Sequence, residues 1–423
     1  MDTDRGHVDV VIVGGGQAGL SVAWQLTQRG IDHIVLERFG AFHSWRVNRW
    51  DSFCLVTPNW QCRLPGFHYG RDYPADEPHG FMLRDEIVDY LDAFAASFDP
   101  AIEEGVEVTR VARSGDGYEV RSTAGTWRCR EVVIATGGYD TPIEPPYAAR
   151  LDPAIRQMHS VDYRNVDQFP EGAVLIVGTG QSGVQIMEDF VRAGRDVHLA
   201  VGPAPRSPRK YRGRDATDWL YDAGHYDITI RDHPDPAKAL SQTNHYMSGR
   251  DGGKEIDLRR FHVDHGVELY GSLADMDGRT IRFLPDLAKN LDDADRSYCG
   301  IRDQIDAHIA RHGIDAPKEP PFAKVWEPEA EREEADAGER GIASVIWAIG
   351  FRPDYSWIEP DVFDARGKPV HDRGITNEKG LYFVGLGWLN TWGSGRFLGM
   401  EEDSDHLARR IERSLAEPRI AAE

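Results

Sequence analysis

The sequence predicts an α/β fold built from two similar units, with the second unit inserted into the first. An apolar, largely β-branched run, VDVVIV at residues 8–13, precedes the turn GGGQAG and a helix-like stretch, and the short strand HIVLE follows. The same order returns 164 residues later as AVLIV, GTGQSG, a second helix-like stretch and VHLAVG. Apolar strands at 344–350 and 381–387 then resume the first pattern, which indicates that the second unit interrupts the first.

Both turns carry the spacing GxGxxG of a Rossmann-like dinucleotide-binding site. The first glycine permits a tight turn, the second lets a pyrophosphate approach the backbone, and the third lets helix and strand pack closely. The helix that follows points its N-terminus at the anion. The residues predicted to form the two sites are Gly14, Gly16, Gln17, Ala18 and Gly19 in the first unit, and Gly178, Gly180, Gln181, Ser182 and Gly183 in the second.

The two units differ at the end of their second strand. Glu37 lies 23 residues after Gly14, where a carboxylate can bind ribose hydroxyls, whereas Val201 lies 23 residues after Gly178 and is followed by Gly202. Loss of the carboxylate removes repulsion of a ribose 2′-phosphate. We therefore predict that the first site binds FAD and that the second binds NADPH in preference to NADH.

A basic loop, PAPRSPRKYRGR, follows Gly202. An arginine can hold a 2′-phosphate with two parallel hydrogen bonds, so we expect one or two of Arg206, Arg209 and Lys210 to do so. The alternative is a solvated basic loop without a ligand.

The composition excludes several classes of function. The net charge of -21 comes from 70 acids against 49 bases, and its field repels nucleic acids and anionic membranes. The sequence lacks a long apolar run and begins with acids where a signal peptide is basic, which predicts a cytoplasmic protein. Its four cysteines, Cys54, Cys62, Cys129 and Cys299, form no CxxC pair, so neither a metal site nor the cysteine pair of the disulfide reductases is expected.

The repeated pattern also predicts the domain bounds. Residues 1–165 and 341–423 form the predicted FAD-binding domain, and residues 166–340 form the predicted NADPH-binding domain. The second domain includes an additional helical or lid region at about 215–335, with strands expected at GVELYGS and TIRFL. The sequence leaves the oligomeric state open, and a homodimer is one alternative.

Segments outside the two glycine turns carry a family resemblance. They are GAFHSWRVNRWDSFCLVTPNWQCRLPG at 40–66, EVVIATGGYDTP at 131–142, VIWAIGFRPD at 345–354, GLYFVGLGW at 380–388 and, after them, GSGRFLGMEEDSDHLA. With the paired turns they resemble the class B flavoprotein monooxygenases, which include flavin-containing monooxygenases, N-hydroxylases and Baeyer-Villiger enzymes. They are also similar to a bacterial subfamily of flavin-dependent oxidoreductases found in gene clusters with a nitrilase.

The family fingerprint FxGxxxHxxxY/F is half present. His159 and Tyr163 match its second half, whereas Pro153 and Ile155 hold the places of its Phe and Gly. Tyr163, where the Baeyer-Villiger branch has Trp, resembles the branch that oxygenates heteroatoms.

The resemblance implies further site residues. Those expected to contact the cofactors are Arg38, Trp45, Arg46, Trp50, Thr57, Ala135, Thr136, Gly137, Gly350, Gly385 and Trp388. Those given catalytic roles are Asn59, His159 and Arg396. Each of the three has a structural alternative: a turn asparagine, a histidine that bonds backbone in a linker, and a surface or packing arginine.

The resemblance also implies the reaction. It predicts an NADPH- and O₂-dependent monooxygenase that oxygenates a small organic substrate through a flavin hydroperoxide, with N- or S-oxygenation favoured. The alternative is a flavin-dependent NADPH oxidoreductase that passes electrons to another acceptor without oxygen insertion. A nucleotide-binding redox sensor is the hypothesis from a different class.

Overall fold

The computed structural model describes residues 3–241 and 244–417. Residues 1–2, 242–243 and 418–423, which the predicted domain bounds and lid region include, lie outside the described residues. The described chain contains two main sheets, and in each a buried strand leads into a glycine-rich turn.

The first sheet is built around the strand Asp4–Val13. This strand runs parallel to both neighbours, and Val10, Val11 and Ile12 are fully buried, which explains the continuous apolar run. In order across the sheet, the strands are His371–Asp372, Ile375–Thr376, Leu381–Phe383, Gly125–Ile134, Asp4–Val13, His33–Glu37 and Ile102–Glu104, and the hairpin Val108–Ser114 and Gly117–Ser122 pairs with Gly125–Ile134.

The second sheet is parallel throughout. Its strands, in order, are Arg156–His159, Ile342–Trp347, Ala173–Val177, Val197–Ala200 and Glu268–Tyr270. Its helix Gln181–Arg192 follows the second glycine turn, as Gln17–Gln28 follows the first. The predicted repeat of one strand-turn-helix unit is therefore present in the fold.

Two segments that the sequence predicted to lie in the first unit pair with strands of the second unit. The predicted division at residues 165 and 341 placed Arg156–His159 and Ile342–Trp347 with the first sheet, yet both strands pair in the second. The reason is that an apolar strand carries no sequence mark of its partner: Val345 pairs with Leu175, 170 residues earlier. The remaining domain bounds stay a prediction.

The region at 215–335 contains both helices and strands. Glu268–Tyr270 belongs to the second sheet, and Leu273–Asp277 and Thr280–Phe283 form an antiparallel sheet with Glu334–Asp336. The stretches GVELYGS and TIRFL thus contain strands, as the sequence predicted. Residues 225–233, near the start of this region, are called the insertion arm below. They contact the loop that precedes the last helix, at residues 388–396.

The remaining elements connect or cover these sheets. The other helices are His43–Arg46, Arg84–Ala96, Ala216–Asp222, Pro236–Ser241, Leu258–His265, Leu287–His312 and Met400–Ala416. The short strand pairs are Arg63–Leu64 with Phe67–His68, Thr141–Pro142 with Phe351–Arg352, and Lys210–Tyr211 with Arg214–Asp215.

A buried carboxylate holds the loop before the last helix. This loop, residues 388–396, is called the C-terminal loop below. Its Ser394 hydroxyl accepts hydrogen bonds from the backbone N–H groups of Asn390 and Thr391 at 3.0 and 3.2 Å, and donates to Asp403. Asp403 is 7% exposed, and burial raises the pKa of its carboxyl to about 6.

This carboxyl predicts a pH dependence of stability. Because the folded pKa lies above the ordinary value of 3.8, Asp403 favours folding most at low pH, and that contribution is lost as the pH rises from about 4 to about 6. Asp403→Asn should flatten this fall, whose size is on the order of 2–3 kcal/mol. Urea unfolding at a series of pH values measures it, and an unchanged slope in the variant would contradict the assignment.

Candidate active site

The first glycine turn leaves an open, positively polarised helix start. Gly14 has a φ of +109°, and a Cβ there would lie 2.7 Å from the carbonyl oxygen of Ala135. A Cβ at Gly19 would lie 1.9 Å from the carbonyl oxygen of Gly14, whereas one at Gly16 would meet nothing within 4 Å. Gly16 is the N-cap residue of the helix and provides no side-chain hydrogen bond. The first backbone N–H groups of the helix therefore face open space. These features fit a pyrophosphate.

Glu37 lies at the rim of the same turn. Its carboxylate accepts hydrogen bonds from the backbone N–H groups of Gly15 at 2.6 Å and Phe39 at 2.9 Å. Both bonds orient the carboxylate, and Glu37 lines the cleft that the turn opens into. Arg38 also lines this cleft, although its guanidinium is paired with Asp140 at 3.1 Å.

The cleft has a volume of about 360 Å³ and brings together many of the predicted FAD residues. Predicted residues that line it are Gly14, Gly16, Gln17, Ala18, Glu37, Arg38, Trp45, Ala135, Thr136, Gly137 and Gly385. Trp45 is held by a hydrogen bond from its indole N–H to Gln17 Oε1 at 2.7 Å and by stacking on Phe397, with ring centroids 5.4 Å apart. The residues present therefore fit FAD.

Arg49 lines the cleft and was missed by the sequence analysis. Its guanidinium lies 5.0 Å from the Trp45 ring centroid and 5.4 Å from that of Phe53. Burial lowers the pKa of Arg49, and among the described residues no carboxylate pairs with it. The available signal was a cation amid aromatics in RVNRWDSF, but Arg46 and not Arg49 was singled out there.

Several predicted cofactor residues lie elsewhere. Arg46 is exposed and pairs with Asp92. Trp50 is buried in the core of the second unit, 6.2 Å from the Tyr163 ring. The half-buried Thr57 does not line the cleft. Asn48 and Arg49 still line the cleft, and the chain enters the core of the second unit at Trp50.

Asn59 has a structural role. Its amide N–H groups donate to the Glu77 carbonyl oxygen at 3.0 Å and to the Tyr69 hydroxyl at 3.3 Å, and its Oδ1 accepts from the Met82 backbone N–H at 2.7 Å. The side chain is 3% exposed and does not line the cleft. The turn alternative considered from the sequence therefore describes Asn59 better than a catalytic role.

His159 joins the two units. Its Nδ1 accepts from the Val161 backbone N–H at 3.2 Å, so Nε2 carries the proton and donates to the carbonyl oxygen of Gly350, also at 3.2 Å. Burial lowers the pKa of His159, which keeps the ring neutral. Gly350 has a φ of +93° and receives this bond where the chain returns to the first unit. The arrangement favours positioning of backbone over proton transfer.

Trp388 and Arg396 lie in the C-terminal loop, beside the cleft. Trp388 adopts a φ of 58° and contacts His233 of the insertion arm, with ring centroids 5.2 Å apart. The Arg396 guanidinium lies 4.2 Å from the Trp392 ring centroid. Neither residue lines the cleft, although Gly395, next to Arg396, does; both lie where the two units meet.

The second glycine turn repeats the first. Gly178 has a φ of +102°, and a Cβ at Gly183 would lie 2.0 Å from the Gly178 carbonyl oxygen. Gly180 is open and caps the helix without a side-chain bond. Gln181 Nε2 donates to the Met247 carbonyl oxygen at 2.6 Å, and the half-buried Ser182 follows it. The turn fits a second pyrophosphate.

The basic loop differs from its prediction. Arg206 is 1% exposed and pairs with Glu255, Asp257 and Asp295 at 2.8–3.4 Å. Because these carboxylates already occupy its guanidinium, Arg206 is not available to a phosphate in this structure.

Arg209 is likewise committed. It is 1% exposed and donates two hydrogen bonds to Asp215, at 2.6 and 2.8 Å, and one to the Val56 carbonyl oxygen at 2.6 Å. Lys210 is exposed, and of the three predicted cations it is the one left to meet a 2′-phosphate.

The cysteines lie apart from this chemistry. Cys54, Cys62 and Cys129 are buried, Cys299 is half-buried, and burial raises the pKa of the Cys54 thiol to about 11. Within residues 3–241 and 244–417, no group of three potential ligands is arranged to hold a metal ion. The same residues include no helix long and apolar enough to cross a membrane.

Comparison with known proteins agrees with this geometry. Residues 11–220 match the family described as "Pyridine nucleotide-disulphide oxidoreductase". "Uncharacterized oxidoreductase CzcO-like" of Geobacillus kaustophilus (strain HTA426) is 30% identical over 407 residues, which cover 96% of this chain and 98% of the relative. The chain belongs to the CzcO-like oxidoreductase family. It is therefore an enzyme, a flavin-dependent oxidoreductase, and FAD and NADPH are the cofactors of this class, as the sequence predicted.

More distant relatives share the fold or half of the chain. The flavin-containing monooxygenase from Stenotrophomonas maltophilia aligns with a TM-score of 0.66 and 21% identity, covering 98% of this chain and all of that one. Indole-3-pyruvate monooxygenase YUCCA4 of Oryza sativa subsp. japonica is 34% identical over 248 residues, and the match spans 52% of this chain and 54% of the relative. Resemblance to the flavin-containing monooxygenases is thereby confirmed.

Glu37→Gln is expected to weaken FAD binding about tenfold, because the amide loses the charge that strengthens hydrogen bonds from ribose hydroxyls. Fluorescence titration of the apoprotein with FAD measures the dissociation constant. Glu107→Gln is the matched control, since Glu107 also lines the cleft but lies 3.8 Å from Arg38 at the surface. Equal affinities in the two variants would contradict the ribose assignment.

The variants Lys210→Ala and Arg206→Ala should distinguish a residue that binds the 2′-phosphate of NADPH from one that stabilises the fold. Lys210→Ala is expected to raise the KM for NADPH about tenfold and leave that for NADH unchanged, because the 2′-phosphate loses a cation. Arg206→Ala should lower the free energy of unfolding by about 3–5 kcal/mol, since it leaves buried carboxylates unpaired, without changing the ratio of the two KM values. If Arg206→Ala shifts that ratio while denaturant unfolding is unaltered, Arg206 is the phosphate ligand.

Proposed function

We propose that the protein is an NADPH-consuming monooxygenase that inserts oxygen into a small organic substrate, with nitrogen or sulfur as the favoured target. The observation that carries the proposal is the aromatic lining of the FAD cleft. Trp45 and Arg49 line it, Phe397 stacks on Trp45, and Gly395 of the C-terminal loop also lines it. An oxygenating flavin site must exclude water, because water and stray protons divert reduced oxygen into peroxide.

The insertion arm contacts the C-terminal loop. Thr229 forms a β-bridge with Thr391, and the Ile230 backbone N–H donates to the Asn390 carbonyl oxygen at 2.6 Å. Beside them the Tyr226 ring lies 4.7 Å from that of Trp392. Backbone bonds and ring packing therefore hold the second unit against the C-terminal loop, and this contact favours a site closed to solvent.

Bound FAD would supply the redox chemistry, taking electrons from NADPH and passing them to molecular oxygen. The chain's own residues bind and orient. Glu37 and the helix start after Gly16 hold the first nucleotide, and the helix start after Gly180 holds the second. Trp45 and Arg49 would border the bound cofactor, and His159 fixes the backbone where the units join.

The preference for nitrogen or sulfur rests on resemblance. Tyr163 stands where the Baeyer-Villiger branch has Trp. Among the fold neighbours are an ornithine N-hydroxylase from Kutzneria sp. 744 and an S-allyl-L-cysteine S-oxygenase from Allium sativum. A cytoplasmic location and a homodimeric state stay predictions from the sequence.

A reductase or dehydrogenase that passes electrons to another acceptor is the second candidate. The observation that favours it is the half-present fingerprint, in which Pro153 and the buried Ile155 replace the family's Phe and Gly. His159 also lies outside the cleft lining and is committed to backbone bonds, so it supplies no proton to the site.

Rapid mixing distinguishes the two. The holoenzyme is reduced with NADPH under argon and mixed with oxygenated buffer while the flavin spectrum and peroxide are followed. We expect a species that absorbs differently from oxidised and reduced flavin, persists for seconds, and decays faster when an amine or thioether is present. Immediate return to oxidised flavin with one peroxide per NADPH, for every substrate tried, would favour the reductase. Failure to bind FAD would overturn both.

A further inference from the structure

Among the described residues, Arg49 is the arginine of the FAD cleft that no carboxylate neutralises. The arginines that line the cleft are Arg38 and Arg49. Arg38 pairs with Asp140 at 3.1 Å and with Glu107 at 3.8 Å, and both carboxylates line the cleft as well. Arg49 donates from Nη1 to the Asn48 carbonyl oxygen at 2.9 Å, and its other N–H groups remain free to bind a ligand.

Two aromatic rings fix the Arg49 guanidinium in the cleft. Its central carbon lies 5.0 Å from the Trp45 ring centroid and 5.4 Å from that of Phe53. A guanidinium that stacks on rings keeps the N–H groups at its edge free. Arg49 is therefore oriented before any ligand arrives, and binding loses less side-chain entropy.

The chain is also anchored on the other side of Arg49. Trp50 is buried in the core of the second unit, and the Asp51 backbone N–H donates to the Arg164 carbonyl oxygen at 2.9 Å. The Ser52 hydroxyl donates to Asp189 of the helix Gln181–Arg192 at 2.7 Å. Arg49 thus lies at the point where the segment leaves the cleft, between two fixed parts of the chain.

The segment that carries Arg49 lies against the first helix start. The Trp45 indole N–H donates to Oε1 of Gln17, the first residue of that helix, at 2.7 Å. The Phe42 backbone N–H donates to the Gly15 carbonyl oxygen at 3.0 Å. Arg49, in contact with the Trp45 ring, therefore lines the same cleft that the uncapped helix start faces.

The strand order indicates which part of FAD would lie at this helix start. Glu37 ends one strand, Gly14 follows the next, and Gly385 follows a strand two places further across the sheet. These strands are parallel, so their carboxyl ends meet the cleft in the same order. With its ribose at Glu37, FAD would place its pyrophosphate at the helix start and its flavin ring toward Gly385.

We propose that Arg49 binds the pyrophosphate of FAD together with the helix start and neutralises part of its charge. The pyrophosphate carries two negative charges, whereas a helix start supplies the equivalent of about half a positive charge. Carboxylates line the same cleft at Glu37, Glu107, Asp140 and Asp354, and the chain has a net charge of -21. A dianion in this field requires a cation, and a guanidinium can hold phosphate oxygens with two parallel hydrogen bonds.

Release of FAD from the holoenzyme tests the inference without turnover. The holoenzyme is diluted in steps, and free FAD is separated by ultrafiltration and measured by its fluorescence, which gives the dissociation constant. ADP-ribose has the adenosine and the pyrophosphate but no flavin ring, and its dissociation constant follows from the FAD that it displaces. Arg49→Gln should raise both constants about 30-fold, because a charged pair of hydrogen bonds is lost.

Two further variants sharpen the result. Arg46→Gln is the matched control, because it removes an exposed cation of the same segment that pairs with Asp92, and it should leave both constants unchanged. Arg49→Lys keeps the charge but loses the two parallel hydrogen bonds, and should raise both constants about fivefold. If Arg49→Gln retains no FAD, retention by Arg49→Lys supports the role of the charge.

A rise in the FAD constant alone would overturn the proposal, because Arg49 would then contact the flavin ring. Unchanged constants for both ligands would also overturn it. So would loss of FAD from both Arg49 variants, since the side chain would then serve the packing of the cleft. Neither NADPH nor oxygen takes part, so the inference goes beyond the proposed function and does not depend on it, and the rapid-mixing experiment tests oxygen insertion separately.

Discussion

Both nucleotide sites depend on one backbone constraint, the contact between the third and first glycines of each turn. A Cβ at Gly19 would lie 1.9 Å from the Gly14 carbonyl oxygen, and one at Gly183 would lie 2.0 Å from that of Gly178. Because no side chain fits there, each helix start is held directly against the end of its strand. The uncapped N–H groups then point at one place, and the cleft forms around the first of these two points.

In this acidic protein, the ion-pair partners of each arginine decide whether its guanidinium is available to an anionic ligand. Arg206 and Arg209 looked like phosphate ligands from their position, but buried carboxylates neutralise both. Arg49 has no such partner among the described residues, and it lines the cleft. A guanidinium shielded from water is costly without an anion, so an unpaired arginine is more informative about a ligand than a paired one.

The contact between the insertion arm and the C-terminal loop joins the two nucleotide units. It combines a backbone bond from Ile230 to Asn390 with ring contacts to Trp388 and Trp392. Hydrogen bonds of Ser394 with the Asn390 backbone and with the buried Asp403 stabilise the loop. These contacts hold the C-terminal loop, whose Gly395 lines the cleft, where the two units meet.

The sequence by itself determined the strand-turn-helix units, the place of Gly14 and Gly19 in the first turn, and the choice of cofactors, because local spacing controls these features. It did not determine which sheet Arg156–His159 joins or what neutralises Arg206. The first depends on pairing with a strand 188 residues further on, and the second on Asp295, 89 residues away. Contacts at such separations leave no periodic trace in the chain, so tertiary structure alone decided them.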